Sequence, residues 1–305
     1  MSENKFEPNG VLIVNKPEGI TSHDVVGKIR KLYGTRKVGH TGTLDPLATG
    51  VLVILLGRAA KAAEYLVADR KTYKARLTLG LTTDTEDITG KVITQSNIIP
   101  SGEQVMTACG EFVGKIKQIP PMYSALKVDG RKLYDLAREG IEVERQARDI
   151  EIFQLVCAPT ECENEFDLLV ECSSGTYIRT LCADVGARLG CGGVMSALHR
   201  VKAGGFDIEN SHTFEELELL EVSERYKLLA PTESLFTEFP MVKLPAFYEK
   251  LCRSGCEIYQ NKIKTNLEVG TRVRLYSANG EFFALGEVRQ YENGTAIKAI
   301  KTFSL

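Results

Sequence analysis

The sequence predicts an α/β (α+β) chain that closes with a small all-β module. Three observations carry this expectation. The run Val51-Leu52-Val53-Ile54-Leu55-Leu56 has the length and composition of a buried strand. Upstream, Val25, Val26, Ile29 and Leu32 recur at helical spacing, so helices and strands interleave. Near the C-terminus, Asn279-Gly280 and Asn293-Gly294 are strong hairpin turns between short apolar segments. A length of 305 residues favours two domains, and Pro240 and Pro245 bracket a linker, which divides the chain into 1–239 and 240–305.

The elements follow in order. Gly10 to Val14 reads as a first strand, ending in Asn15-Lys16-Pro17. Thr21 or Ser22 caps a helix that Gly34 terminates, with Lys28, Arg30 and Lys31 on its polar face. A short helix is expected from Ala59 to Val67 and a strand from Thr72 to Leu77. The acidic turn from Leu81 to Gly90 lacks the ligand ladder of a calcium loop and reads as a capped turn. Helices are expected over 102–113 and 131–139, with an extended Gln118–Lys127 segment between them, because each proline pushes its predecessor out of the helical region. Strands around 150–156 and 166–172 precede a helix that Thr176 caps and that reaches Leu189. The stretch Glu209 to Glu224 reads as one acidic surface helix, and strands over 269–275, 282–288 and 296–300 build the C-terminal module.

Composition narrows the function classes. At 43% hydrophobic and 26% charged residues the chain has material for an ordinary core. No apolar run is long enough to span a bilayer, and MSENKFEPNG has no signal-peptide character. Eight cysteines without a Cys-x-x-Cys pair, with only four histidines, offer no zinc spacing and no dense disulfide framework, so a reduced cytoplasmic setting is expected. The net charge of -2 hides an asymmetry: residues 1–80 hold 13 Lys/Arg against 7 Asp/Glu, while 207–239 hold 2 against 9. That distribution permits a basic, phosphate-facing surface on the N-terminal part.

The most informative stretch is the loop from Gly39 to Gly50, with three glycines, three threonines, His40 and one carboxylate, Asp45. It leads directly into the apolar strand, the arrangement of a site held on a rigid frame. No Gly-x-Ser-x-Gly elbow and no Gly-x-x-x-x-Gly-Lys loop accompany it, which argues against a serine triad and against ATP use. A lone Asp acts as nucleophile or general base, provided a cation compensates its charge once substrate excludes water. The residues alone lead no further.

The loop also resembles the catalytic loop of bacterial TruB-type tRNA pseudouridine synthases, in which the Asp is essential. Four further blocks match that family in order: Asn15-Lys16-Pro17, Lys71-Thr72-Tyr73 with Leu79-Gly80 and Thr85-Glu86-Asp87, Gln118 to Lys127, and Gly175-Thr176-Tyr177-Ile178-Arg179. The chain departs from the family pattern at Ser174, where a basic residue is frequent, at His199-Arg200, where Arg-Arg is frequent, and over Gly192 to Ser196.

The resemblance implies a mixed, mostly antiparallel sheet flanked by helices, with a PUA-like C-terminal RNA-binding domain. It implies isomerisation of the uridine at position 55 in the tRNA T-arm, by a monomer without guide RNA, cofactor or metal, and possible assistance to tRNA folding. An RNA-guided synthase of the archaeal and eukaryotic kind, or an RNA chaperone, are the alternatives. The target base must be flipped out at a cost of a few kcal/mol, partly offset by stacking at roughly 1–3 kcal/mol per base. On this resemblance Asp45 is the nucleophile or base, at the glycosidic carbon or the uracil ring. Tyr73 stacks on the base or also takes part in proton transfer, and Arg179 pairs with Asp45. His40 fills the vacated space or holds the loop, Lys16 supports the loop or binds backbone, Tyr177 packs against the site, and Leu198 lines the uracil pocket. Lys28, Arg30, Lys31, Arg36 and Lys37 are candidates for phosphate contact.

Overall fold

The computed structural model describes residues 7–66 and 70–304. In chain order these form β1 (Gly10–Lys16), α1 (Ser22–Tyr33), β2 (Val38–His40), β3 (Thr49–Leu56), a 3₁₀ stretch (Gly57–Tyr65) and β4 (Lys71–Leu79). Next come the hairpin strands β5 (Leu81–Thr83) and β6 (Val92–Gln95), α2 (Gly102–Gly110), β7 (Gly114–Gln118), the strands β8 (Lys127–Val128) and β9 (Arg131–Lys132), and α3 (Leu133–Arg138). Strands β10 (Arg148–Pro159) and β11 (Glu165–Cys172), helix α4 (Ile178–Arg188), and strands β12 (Gly193–Ala203) and β13 (Phe206–Asp207) follow. Helices α5 (Phe214–Leu219) and α6 (Val222–Lys227) lead to β14 (Met241–Lys243), α7 (Ala246–Arg253), β15 (Ile258–Tyr259), α8 (Gln260–Ile263), β16 (Arg272–Tyr276), β17 (Phe282–Tyr291) and β18 (Gly294–Thr302).

The larger sheet runs β1-β3-β12-β4-β11-β10-β7, with β2 on β3 and β13 on β12. Every pairing is antiparallel except β12 with β3, where His199 lies opposite Thr49 and Arg200 opposite Gly50. The sheet is therefore mixed and mostly antiparallel, with its one parallel junction next to the Asp45 loop. Helices α2 and α4 pack Val105, Ala108, Leu181 and Val185 onto Leu77, Phe166 and Leu168. Helix α1 packs Val25, Val26 and Ile29 onto Leu12, Val14, Leu52 and Ile54. The other side of the same two strands, Val11, Ile13, Val51 and Val53, meets Ala59, Ala62 and Phe236. Burial on both faces explains why Val51–Leu56 is continuously apolar rather than alternating.

Local signals place their elements closely. Thr21 caps α1 through a capping box with Asp24, and Gly34 ends the helix in the left-handed conformation. In the acidic turn the Asp87 carboxylate accepts from Thr85 and Thr89 hydroxyls and from the Thr89 amide, as a capped turn should. The smaller sheet, β14-β16-β17-β18-β15, contains the strands expected near the C-terminus.

Several expectations are corrected. The segment at 59–67 is a 3₁₀ stretch over Gly57–Tyr65, and its expected end at Val67 lies outside the described residues. The helix expected from Arg131 begins at Leu133, because Arg131–Lys132 pair with Lys127–Val128. The acidic stretch is not one helix: α5 and α6 are separated by Leu220 and Glu221, both extended, and each has its own capping box. Thr176 does not cap α4; Tyr177 occupies that position without a side-chain cap. No strand was expected at Gly193–Ala203, yet β12 is central, between β3 and β4. Register shifts at Met195/Ala197 and Arg200/Lys202 break its alternation, so the period-2 signal is absent from the sequence.

Candidate active site

The Asp45 loop connects β2 to β3 and is held from below. Ser22, at the first position of α1, accepts the Leu44 amide at 2.8 Å and donates its hydroxyl to the Leu44 carbonyl at 3.0 Å. The Lys16 ammonium donates to the carbonyls of Ala48 (2.6 Å), Pro17 (2.8 Å) and Pro46 (3.3 Å). Burial pulls the Lys16 pKa down to about 8, against the opposing charge of Asp45. Lys16 thus supports the loop as a fully enclosed donor. Arg200, also buried, donates to Val51 (2.7 Å), Gly42 (3.1 Å) and Thr43 (3.5 Å), tying both ends of the loop to β12.

Above this frame, Arg179 grips Asp45 with two donors: Nε to Oδ2 at 2.8 Å and Nη2 to Oδ1 at 3.3 Å. The same guanidinium donates to the Thr85 carbonyl and the Tyr123 carbonyl, each at 2.9 Å. A second carboxylate oxygen, Asp87 Oδ2, lies 4.0 Å from Nε. The Arg179 side chain is 5% exposed and that of Asp45 is 34% exposed. The cation is therefore fixed in the wall while the carboxylate opens outward, where a reactant can reach it. A planar donor fork matched to a carboxylate sets its orientation as well as its charge environment.

The remaining candidates distribute around that pair. Tyr73, on β4, is buried and lies in register with Arg200, whose guanidinium is 6.0 Å from the ring centroid. Tyr73, Leu198, Leu44, Ala48 and Ile178 share one apolar cluster, which brings β4, β12, the loop and α4 together at the site. The backbone of Tyr177 is clasped by the Gln118 carboxamide, which accepts its amide at 2.8 Å and donates to its carbonyl at 3.0 Å. His40 is half-buried on β2 with its Nδ1 enclosed and unpaired; burial, with the charges of Arg200 and His23, lowers its pKa. Lys28, Arg30, Lys31, Arg36 and Lys37 are all exposed on α1 and the turn after it. Lys28 lies over the Phe214 ring, Arg30 reaches the Val38 carbonyl at 3.4 Å, and Lys37 pairs with Glu7 at 2.7 Å.

The five sequence blocks therefore converge on Asp45 and Arg179, through Lys16, the loop, Tyr73 with Thr85 and Asp87, Tyr123, and α4. Arg200, Ser22 and Asp87 contribute to this constellation, although none was singled out as a site residue. Asp87 had a signal in the Thr85-Glu86-Asp87 block and Arg200 in the His199-Arg200 pair, while Ser22 had stood only as a candidate helix cap. Two family departures have local explanations: Ser174 accepts the Lys71 ammonium at 3.3 Å, and His199 Nδ1 pairs with the Thr49 hydroxyl at 2.8 Å.

The chain that carries this carboxylate and arginine has relatives among known proteins. A family model described as "TruB family pseudouridylate synthase (N terminal domain)" matches residues 30–178, and "tRNA pseudouridylate synthase B C-terminal domain" matches 179–237. A relative in Alkaliphilus oremlandii named tRNA pseudouridine synthase B is 43% identical over 93% of this chain and 95% of its own. One of the same name in Syntrophotalea carbinolica is 48% identical over 77% of each chain. Among solved structures, a chain from "Crystal Structure of a Cbf5-Nop10-Gar1 Complex" superposes with a TM-score of 0.75 at 26% identity, covering 97% of this chain and 85% of that one. The fold is that of the pseudouridine synthases. Within that class, the chain belongs to the TruB family of pseudouridylate synthases.

Proposed function

We propose that the protein isomerises uridine to pseudouridine in tRNA, at position 55 of the T-arm, acting as a monomer without guide RNA. The observation that carries this reading is the Arg179–Asp45 clamp, with Asp45 open to solvent beside the Tyr73 cluster. Relatives named tRNA pseudouridine synthase B over nearly the whole chain support the tRNA substrate. The reaction breaks the N1 glycosidic bond, forms a C5 bond to the same ribose carbon, and exchanges a C5 proton for one on N1. Atoms and oxidation state balance within the nucleotide, so the chemistry requires no redox partner.

The chain's part is access and stabilisation. The uridine leaves the T-arm stack and enters between Tyr73 and Leu198, where the aromatic face offsets part of the unstacking cost. Asp45 acts on the glycosidic carbon or the uracil ring. Arg179 compensates the carboxylate as the base displaces its water. Lys16 holds the loop, His40 faces the space the base vacates, Tyr177 borders the site, and the exposed cations of α1 meet phosphates. Residues 1–239 form the catalytic domain and 240–305 a PUA-like RNA-binding domain.

Tritium release from carbon-5-labelled uridine in an unmodified tRNA transcript tests this, with the protein alone in buffer. One equivalent per tRNA is expected, lost when the T-loop uridine is mutated and lost in Asp45→Asn. Folded protein that releases none would overturn the stand-alone reading and leave a guided enzyme or a non-catalytic RNA binder.

A further inference from the structure

We propose that His199 is a positioning residue: bonded to Thr49, it sets the register of β3 against β12 and so the separation of Asp45 from Leu198. The assignment rests on the isomerase function proposed above, which it deepens. The parallel junction of β3 with β12 has only two paired positions, His199 with Thr49 and Arg200 with Gly50. So short a ladder leaves side-chain bonds to hold the register. Arg200 does so from the face of the site, where it donates to the Val51 carbonyl at 2.7 Å. His199 does so from the opposite face. Pairing with β4 is regular from Ala197 to Arg200, so side chains alternate there, and both neighbours of His199 lie on the Tyr73 side.

The bonds run in one direction. His199 Nδ1 lies 2.8 Å from the Thr49 hydroxyl, which lies 3.5 Å from the Leu198 carbonyl. A carbonyl only accepts, so Thr49 donates to Leu198 and accepts from the imidazole Nδ1–H, a tautomer assigned from this network. The path to the carboxylate is short. The Ala48 amide donates to the Asp45 carbonyl at 3.1 Å, closing the turn that ends at Thr49, and Lys16 holds the Ala48 carbonyl. A slip of Thr49 along β12 therefore moves Asp45 relative to Leu198 and Tyr73. The imidazole is not a core packing element. It is half-buried and borders a cavity of about 300 Å³ with Asn15, Thr213 and Glu215. Its removal opens no void in the apolar core, so the loss falls on the rate rather than on stability. His199 is also where the chain departs from the family pattern, which makes this tie a feature of its own sequence.

Single-turnover tritium release from labelled tRNA tests the assignment, with filter binding and thermal melts alongside. Thr49→Val and His199→Ala should each slow release about tenfold, the effect of one lost hydrogen bond on the placement of a reacting group. Affinity for tRNA and melting temperature should stay near the parent's. The double variant should be no slower than either single variant, because both break the same bond. Thr49→Ser keeps the hydroxyl and should restore the rate. His199→Asn, whose amide reaches the place of Nδ1, should also restore it, whereas His199→Gln, whose amide reaches the place of Nε2, should stay slow. Unchanged rates in Thr49→Val and His199→Ala, additive losses in the double variant, or equal rescue by Asn and Gln would each overturn the positioning role. So would rates that fall only in step with melting temperature. A folded parent that releases no tritium would instead overturn the isomerase function, and the positioning role with it.

Discussion

Arg179 makes two bonds to Asp45 and two to backbone carbonyls, so it fixes the carboxylate, the Thr85 turn and the Tyr123 segment at once. A lysine carries the charge but not the fork. Arg179→Lys should lower the single-turnover rate of pseudouridine formation by about 10²-fold, the loss of one to two charged hydrogen bonds at the reacting group. Its tRNA affinity should remain close to that of the parent, as filter binding would report. Lys16 makes a prediction of a different kind. Its folded pKa, about 8, lies below the ordinary 10.5, so between these values the unfolded chain binds more protons and stability rises with pH. Lys16→Met lacks that group. The difference in unfolding free energy, parent minus variant, should therefore grow from pH 8 to pH 10.5 in denaturant titrations. A constant difference would mean that the lysine is not desolvated as its three carbonyl partners imply.

At the scale of elements, the junction of β3 with β12 decides where the loop sits. Gly50 has φ +99°, and a Cβ there would lie 2.3 Å from the Arg200 carbonyl oxygen, a backbone atom with nowhere to move. Gly50→Ala should cost at least about 3 kcal/mol of stability, combining a strained φ with a forced parting of the parallel strands. Its activity should fall further than its stability, because Arg200 anchors the loop through Gly42 and Thr43. Helix α4 offers a stabilising change instead. Burial, then the neighbouring Glu86, raises the Asp184 pKa from 3.8 to about 6. The folded state therefore binds the extra proton between those values, and stability falls as pH rises through them. Asp184→Asn should raise stability at pH 7 on the order of 1 kcal/mol, allowing for residual solvent screening, and should not do so at pH 3.5. Thermal melts at the two pH values separate these outcomes.

Across the whole molecule, the C-terminal sheet is docked rather than tethered. Phe236 stacks on Phe239 and meets Phe282 and Phe303, against Val51, Val53 and Leu55 of the larger sheet. The Tyr65 hydroxyl donates to the Ile300 carbonyl, and Lys301 pairs with Glu64 across the same contact. Phe236→Ala should remove about 3–5 kcal/mol and split a single calorimetric unfolding transition into two, as the two sheets lose their shared core. A variant that still melts in one step would show that the polar contacts alone couple them.

The same contrast of scales separates what the sequence holds from what it does not. Thr21 and Gly34 bound α1, the Asn-Gly pairs turn the C-terminal strands, and Val51–Leu56 is a core strand, because each follows from sterics and hydrogen bonding within a few residues. The Asp45 loop was likewise legible in its own residues, whereas the Gly-Thr-Tyr-Ile-Arg block was legible only through the family resemblance. Strand β12 was not, since its bulges erase the alternation by which a strand is read. Nor were the enclosed Arg200 and the split of the acidic stretch into α5 and α6. By itself the sequence determined the local elements and the residues gathered at the site. The pairing of Asp45 with Arg179, 134 positions away, was implied by the family resemblance, but only the tertiary structure decided its two-donor geometry, that Arg200 ties down the loop, and that Asp87 stands as a second carboxylate. Those contacts depend on which strands neighbour one another and in what register, a choice made by burial over the whole chain rather than by any local period.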